Sequence, residues 1–203
     1  MKLNGNKILV TGGTSGIGLA LTKKFLELDN DVIISGRDID KLNALKNAYP
    51  RLQVFSGDLS KTTDLESLIV YLEQAHPDLN VVINNAGVQL NYDFKSTDSV
   101  VSKIDYETGV NFIAPVKLCA LLLPQLLKQS SAAIVNISSG LAISPKKSAP
   151  VYCGTKAAVH IFTKALRYQL EGTAVKVFEI LPPLVETPMT AGRGKGKITP
   201  DEL

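Results

Sequence analysis

Tyr152 and Lys156 stand four residues apart in a stretch of helical periodicity, Pro150 to Glu171, so a phenol and an ammonium share one helix face. An unperturbed phenol titrates at about 10, too high for efficient proton exchange near neutrality. A neighbouring ammonium favours the phenolate and lowers that value. Tyr152 can then give a proton to an oxygen, or take one from it, with Lys156 tuning the exchange. Ser138 and Ser139 end an apolar run upstream, and one of these hydroxyls can donate a hydrogen bond to an oxygen that gathers negative charge. Taken alone, a Tyr-x-x-x-Lys spacing is more often an amphipathic pair with a solvated lysine.

A second constellation lies near the start. The run Thr11-Gly12-Gly13-Thr14-Ser15-Gly16-Ile17-Gly18 joins a short β-branched stretch to a helical one. Glycines there let the backbone turn tightly and approach a pyrophosphate, while the new helix aims its unpaired amides at the anion. Any tight strand-to-helix connection uses glycine, but this position, after the first strand of an alternating chain, points to a dinucleotide. The next strand ends in Ser35-Gly36-Arg37, where a protein that binds NAD ordinarily carries a carboxylate for the ribose hydroxyls. None of the three is acidic. The planar fork of Arg37, with the hydroxyls of Thr14 and Ser15, can instead hold a ribose 2′-phosphate. NADP(H) is therefore the preferred cofactor and NAD(H) the alternative, with Asp38 a carboxylate that could compete for Arg37. Asn84-Asn85-Ala86-Gly87 closes the fourth strand, where small residues admit a ribose and amides can tie adjacent strand ends.

These groups need a scaffold that brings distant turns together. Lys7 to Thr11, Asp31 to Ser35, Leu52 to Phe55, Asn80 to Asn84, Ala132 to Ser138 and Val175 to Leu181 read as strands, most of them apolar on both faces. Helical periodicity fills Gly16 to Leu28, Ile39 to Ala48, Thr62 to Ala75, Ser96 to Gln129 and Pro150 to Glu171. The alternation predicts an α/β, three-layer, doubly wound Rossmann fold with a mostly parallel sheet and helices on both faces. A chain of 203 residues, 45% hydrophobic and 20% charged, is expected to form one dinucleotide-binding and catalytic domain. Residues 186–203 have no periodicity and carry Gly192, Gly194, Gly196 and Pro200, which reads as a mobile substrate loop.

The motifs TGxxxGxG, NNAG and YxxxK, with a serine thirteen residues before the tyrosine, occur here in one order, and with them the chain resembles the short-chain dehydrogenase/reductase family over about residues 5–190. That resemblance implies hydride transfer between a nicotinamide cofactor and a carbonyl or alcohol, with Tyr152 exchanging the proton. It selects Ser139 over Ser138 as the hydroxyl on the substrate oxygen. It also implies that Lys156 binds the nicotinamide ribose, that Asn111 anchors a water connecting Lys156 to solvent, and that Asp58 meets the adenine amino group beside Leu59. Cofactor contacts are implied for Gly12, Thr14, Ser15, Gly16, Ile17, Gly18, Asn85, Ala86 and Gly87, and for Pro182, Val185 and Thr187 at the nicotinamide. Two departures stand out. Pro183 replaces the glycine of the family's PGxVxT segment, fixing φ and removing a donor, and family members commonly continue into a further helix and a seventh strand. The Pro-Pro segment with the basic run Arg193, Lys195 and Lys197 also resembles oxidoreductases named DltE, a name that implies a genetic neighbourhood more than a reaction.

The remaining features set bounds. A balance of 22 Lys plus Arg against 19 Asp plus Glu leaves a dispersed +3, too small to argue for nucleic acid. Cys119 and Cys153 form no CxxC or Cys/His cluster, His76 and His160 have no partner at ligand spacing, and no metal is needed. A cytoplasmic protein without membrane insertion is expected, since no secretory signal precedes the first strand and no window reaches the length of a membrane span. The long helices 96–129 and 150–171 can make a homodimer, or two such contacts a homotetramer. Arg193, Lys195 and Lys197 read as a solvated loop, or as a lid that favours an anionic substrate. A non-catalytic NADP(H)-sensing protein on the same fold is the competing reading; intact Asn111, Ser139, Tyr152 and Lys156 argue against it.

Overall fold

The computed structural model describes residues 2–95 and 100–203. Strands β1 (Lys7–Thr11), β2 (Asp31–Gly36), β3 (Gln53–Ser56), β4 (Val81–Asn84), β5 (Ala132–Ile137) and β6 (Val175–Ile180) form one sheet. All pairings are parallel, in the order β3-β2-β1-β4-β5-β6. The order reverses between β1 and β4, and such a sheet opens a crevice there at the carboxyl ends of its strands.

Burial explains the arrangement residue by residue. Leu9, Ile33, Val82 and Ile134 point to one face, where Leu65, Leu68 and Leu72 of α3 (Thr62–Ala75) and Leu118, Leu122 and Leu126 of α5 (Ala114–Leu126) cover them. Leu166 of α6 (Pro150–Gln169) joins the same cluster. Their neighbours Ile8, Val10, Val32, Ile34 and Ile83 point to the other face, against Leu21 and Phe25 of α1 (Gly16–Glu27) and Leu42 and Leu45 of α2 (Ile39–Ala48). Each fully buried Leu or Ile contributes about 1.5–3 kcal/mol of transfer free energy, so an apolar residue on both faces of every strand is what fixes the three layers. Helix α2 starts where Asp38 accepts from the Lys41 amide at 3.1 Å.

The long central helix differs from expectation. Its expected residues 96–99 lie outside those described, and the rest is α4 (Val100–Thr108), a π turn (Gly109–Ile113) and α5. In the π turn the Ala114 amide reaches back five residues to the Gly109 carbonyl. Pro115 supplies no N–H, so the bond an α-helix would make to the Asn111 carbonyl cannot form. The helical stretch Val100–Leu126 also has the length and apolarity of a membrane span, which corrects the count from sequence. Here its apolar residues Ala114, Leu118, Leu122 and Leu126 serve the core instead.

Residues 186–203 close on themselves. Val185 pairs with Ile198, the Glu186 amide donates to the Ile198 carbonyl at 2.8 Å, and the final turn, Pro200–Glu202, lies against α1.

Candidate active site

The carboxyl ends of the strands converge on a cleft of about 690 Å³. At its β1 end the backbone itself is the binding surface. Gly12 and Gly16 have φ of +67° and +52°, in the left-handed region that glycine tolerates. At Gly18 a Cβ would lie 2.3 Å from the Gly12 carbonyl oxygen and 2.4 Å from Asn85 Nδ2, so only glycine lets α1 start this close to the turn. Ser15 occupies the N-cap position in extended conformation without a side-chain capping bond.

Asn85 ties the two central strands, as expected from its amide. Its Nδ2 donates to the Thr11 carbonyl at 2.8 Å and the Gly12 carbonyl at 3.2 Å, while Thr11 Oγ1 accepts from the amides of Asn85 and Ala86 at 3.0 Å each. Below it Asn84 Nδ2 donates to Asn136 Oδ1 at 2.8 Å, and Asn136 Nδ2 to Thr163 Oγ1 at 2.9 Å. This chain of buried amides joins β4, β5 and α6 under the floor of the cleft.

Arg37 lines the cleft at the end of β2, and its guanidinium hydrogen-bonds the Tyr106 hydroxyl and stands over that ring, 5.9 Å from the centroid. Asp38 does not compete for it, being occupied by the α2 cap and by Lys41 Nζ at 3.1 Å. Asp58 lines the cleft too, and its Oδ1 accepts from the amide and hydroxyl of Ser60 at 3.0 and 2.8 Å. Leu59 is largely in the core but borders the cleft.

At the other end the side chains named from sequence come together. Ser139 and Tyr152 both line the cleft, and Ser139 Oγ accepts from the Leu141 amide at 3.1 Å, whereas Ser138 donates to the Ile180 carbonyl at 3.3 Å. Lys156 is buried and donates to the Ile137 carbonyl at 2.8 Å, its Nζ 5.9 Å from the Tyr152 ring centroid. The electrostatics correct the sequence expectation. Burial pushes the Tyr152 phenol above its ordinary value, with the Ser139 hydroxyl acting in the opposite direction. Burial also brings Lys156 down from the ordinary 10.5 to about 8. Desolvation of each group, set by the whole fold, opposes the attraction that the four-residue spacing predicts.

Asn111, in the π turn, is bound through both side-chain atoms. Oδ1 accepts from the Val88 amide at 2.8 Å, and Nδ2 donates to the Val88 carbonyl at 2.9 Å and to Thr155 Oγ1 at 3.2 Å. Its side chain thus holds the loop after β4. A Cβ on Gly87 would come 3.4 Å from Asn111 Oδ1 and 3.6 Å from Lys156 Nζ, so both groups close around that glycine.

The loop after β6 covers the cleft from above. Pro182, Val185 and Thr187 line it, and Thr187 lies so close to Gly16 that a Cβ there would meet its Cγ2 at 2.9 Å. Thr187 and Thr190 cap one another's turn, and Thr190 Oγ1 also donates to the Val185 carbonyl at 2.5 Å. Pro183 is accommodated in this loop, with the neighbouring Pro182 carbonyl accepting from the Gly140 amide at 3.1 Å.

Three cleft neighbours, Tyr106, Gln89 and Glu107, escape the motifs, and Arg193 of the basic run joins one of them. Tyr106 comes from α4; Gln89 and Arg193, bonded at 2.6 Å, come from opposite walls; and Glu107, fully buried, accepts from the Leu90 amide at 2.9 Å and the Tyr92 hydroxyl at 3.3 Å. Burial raises the Glu107 carboxyl above its ordinary range. Tyr106 and Glu107 follow one another in a run with no recognisable pattern; the only available signal is a carboxylate inside a helical core face. Outside the cleft, Cys153 is buried with its sulfur against the Lys146 amide, and His160 Nδ1 meets Glu179 at 2.9 Å between α6 and β6.

The family model for short chain dehydrogenases matches residues 6–197. The chain belongs to the short-chain dehydrogenase family. A Bacillus subtilis relative, named uncharacterized oxidoreductase DltE, is 45% identical over 187 residues, covering 92% of this chain and 74% of the relative. Among solved structures, a short-chain dehydrogenase from Sphingobium yanoikuyae in complex with NADPH superposes with a TM-score of 0.88 at 26% identity, covering 97% of this chain and 80% of that one. The 3-ketoacyl-(acyl-carrier-protein) reductase from Brucella melitensis, complexed with NADH, superposes with a TM-score of 0.90 at 23% identity, over 98% and 88% of the two chains, and shows the fold. As a short-chain dehydrogenase the protein is an oxidoreductase of a family that binds NAD(P).

Proposed function

We propose that the protein is an NADP(H)-dependent oxidoreductase that interconverts a carbonyl and a primary or secondary alcohol on a small molecule. The observation that carries this reading is the meeting of Ser139, Tyr152 and Lys156 in the same cleft as the glycine turn. Bound NADP(H) supplies or accepts the hydride. Gly12, Thr14, Ser15, Gly16, Ile17 and Gly18 hold its pyrophosphate, Asp58 and Leu59 its adenine, and Asn85, Ala86, Gly87 and Lys156 its nicotinamide ribose. Pro182, Val185 and Thr187 hold the carboxamide. The cradle supports this assignment, since a Cβ at Gly12 would come 3.0 Å from Ala86 Cα and one at Gly18 closer still to Gly12.

Ser139 donates a hydrogen bond to the substrate oxygen, which stabilises charge as it grows there. Tyr152 gives its phenolic proton to that oxygen in reduction and takes it back in oxidation. With burial raising the phenol, its neutral form dominates near pH 7, which suits proton donation. Lys156, titrating at about 8, is largely protonated at neutrality and resupplies the proton. Asn111 positions Val88 and, through Thr155, α6.

The preference for NADP(H) rests on Arg37, which ends β2 where a carboxylate would select NAD(H), with Tyr106 holding it in place. The chain acts as a single catalytic domain in the cytoplasm, with residues 186–203 a mobile element over the substrate. Exposed Ile113 and Leu121 near and on α5, and Ile161 and Tyr168 on α6, support pairing through those helices as a homodimer or homotetramer.

The test is the affinity for NADPH and NADH in wild type and Arg37→Ala. NADPH is expected to bind at least about tenfold tighter, about 1.4 kcal/mol, with the difference erased in the variant. Equal affinities in wild type overturn the cofactor assignment. Turnover of a carbonyl panel that survives Tyr152→Phe overturns the catalytic one.

A further inference from the structure

Arg193 is a half-buried cation in the cleft wall whose observed partner is a neutral amide. Its Nη1 donates to Gln89 Oε1 at 2.6 Å. Among the described residues no salt bridge to a carboxylate forms at Arg193. Among the described residues the only acid lining the cleft is Asp58, beside Arg37 at the β2 and β3 ends, whereas Arg193 and Lys146 lie toward Ser139 and Tyr152. Toward Ser139 and Tyr152 the described lining residues include cations, and the Glu107 carboxylate is buried behind them on the Leu90 amide and the Tyr92 hydroxyl.

The location of the guanidinium follows from its anchor. Gln89 is two residues past Gly87, the glycine around which Lys156 Nζ and Asn111 Oδ1 close. Val88 is tied back by Asn111, and Leu90 by Glu107. Gln89 stands between these two tied residues and lines the cleft. On the opposite wall Arg193 belongs to a turn of the 186–203 segment. Gly194, with φ of +65°, lies against Leu184, where a Cβ would meet Cδ2 at 2.4 Å. Lys197 donates to the Thr190 carbonyl at 2.7 Å, and the Arg193 amide to the same carbonyl at 3.0 Å. The Arg193 side chain spans the two walls, and its fork holds five N–H donors, more than one amide oxygen can use.

Building on the oxidoreductase reading, we propose that Arg193, presented by Gln89, recognises an anionic group, a carboxylate or phosphate, on the carbonyl or alcohol substrate. The reacting oxygen then sits on Ser139 and Tyr152 while the anion meets the fork, and Lys146 adds a second positive charge on the same side. A guanidinium bonded to a single neutral amide oxygen gains by exchanging it for a carboxylate, because the opposite charges attract and the planar fork can bind both carboxylate oxygens at once.

The experiment uses a matched pair of probes, 4-formylbenzoate and its neutral isostere 4-formylbenzamide, with NADPH. The acid is expected to have the higher kcat/KM by about 10- to 100-fold, the range of a hydrogen bond to a charged group, expressed mainly in KM. In Arg193→Ala the two are expected to fall within about threefold of each other, and Arg193→Lys, which keeps the charge without the fork, to lie between. Equal use of the probes by wild type, or a preference that survives Arg193→Ala, overturns the proposal. So does a loss of NADPH affinity in Arg193→Ala as large as the loss for the acid, which would make the guanidinium a cofactor ligand. If neither probe turns over, the oxidoreductase reading is what fails for this pair, and calorimetric binding of both probes to wild type and Arg193→Ala still decides the anion site. Tighter binding of the acid that vanishes in the variant upholds it; equal binding or none overturns it.

Discussion

At the β1 to β3 end of the cleft the surface offered to a ligand is largely backbone, with Gly12 and Gly16 in left-handed conformations and Gly18 packed onto Gly12. At the β4 to β6 end it is buried side chain, with Ser139 near Tyr152, Lys156 on the Ile137 carbonyl and Asn111 on Val88. The first end tolerates no added atom, yet its groups carry little charge into the interior. The second has ordinary room but holds a phenol and an ammonium where water is scarce, and both are displaced from their ordinary values. Shape is the demand at one end and desolvation at the other, so they should fail in different ways.

The largest difference should come from Tyr152→Phe. The rate of carbonyl reduction is expected to fall about 10²- to 10⁴-fold, the usual contribution of a positioned proton donor, without loss of thermal stability. Steady-state rates together with a melting curve check this, and a loss of less than tenfold would remove Tyr152 from the reaction. Gly18→Ala should show the converse behaviour, losing about 3 kcal/mol of stability because the new methyl meets backbone, with cofactor affinity falling alongside. Chemical denaturation reads it, and an unperturbed midpoint would mean that α1 can shift.

Lys156 sharpens the comparison through pH. Its native value is about 8 against an ordinary 10.5, so between those two pH values the unfolded chain binds more protons and stability rises as pH rises. Below about 8 the charged, buried ammonium opposes folding. Lys156→Met is therefore expected to be inactive yet more stable at pH 7, by about 1–2 kcal/mol, and to lose the rise in stability between pH 8 and 10. Denaturation at a series of pH values tests this; a variant less stable at pH 7 would show that the bond to Ile137 outweighs the desolvation. The smallest effect belongs to Tyr106→Phe, which removes the hydroxyl under Arg37 but keeps the ring, and should weaken NADPH binding by about 0.5 kcal/mol while leaving NADH unchanged.

The same contrast explains what could be read in the sequence. Strands β1 to β6 were legible to within a residue or two because most are apolar on both faces and bounded by turn residues. The glycines after β1 are local signals that report local geometry, whereas Asp38, expected to compete for Arg37, caps α2 instead. Arg37 was legible as a residue but Tyr106 beneath it was not, since 69 positions separate them and no spacing rule spans that distance. Gln89 and Arg193 are 104 positions apart and equally silent. The identities of Tyr152 and Lys156 were visible, but their titration was not, because burial depends on the whole fold. The π turn was hidden because apolar periodicity runs through Val110 and Phe112 as it would in an ordinary helix, and only Pro115 hinted at a broken bond.

That turn makes the segment a ruler. With Ala114 bonded five residues back, α4 and α5 are offset by one position, and this offset lets Glu107 and Asn111 both reach the loop after β4 while Leu118 and Leu122 face the sheet. Removing one residue between 109 and 113 would restore a continuous α-helix and rotate one half against the other by about 100°. Over generations such a segment can exchange its surface residues freely, but it has to conserve its length.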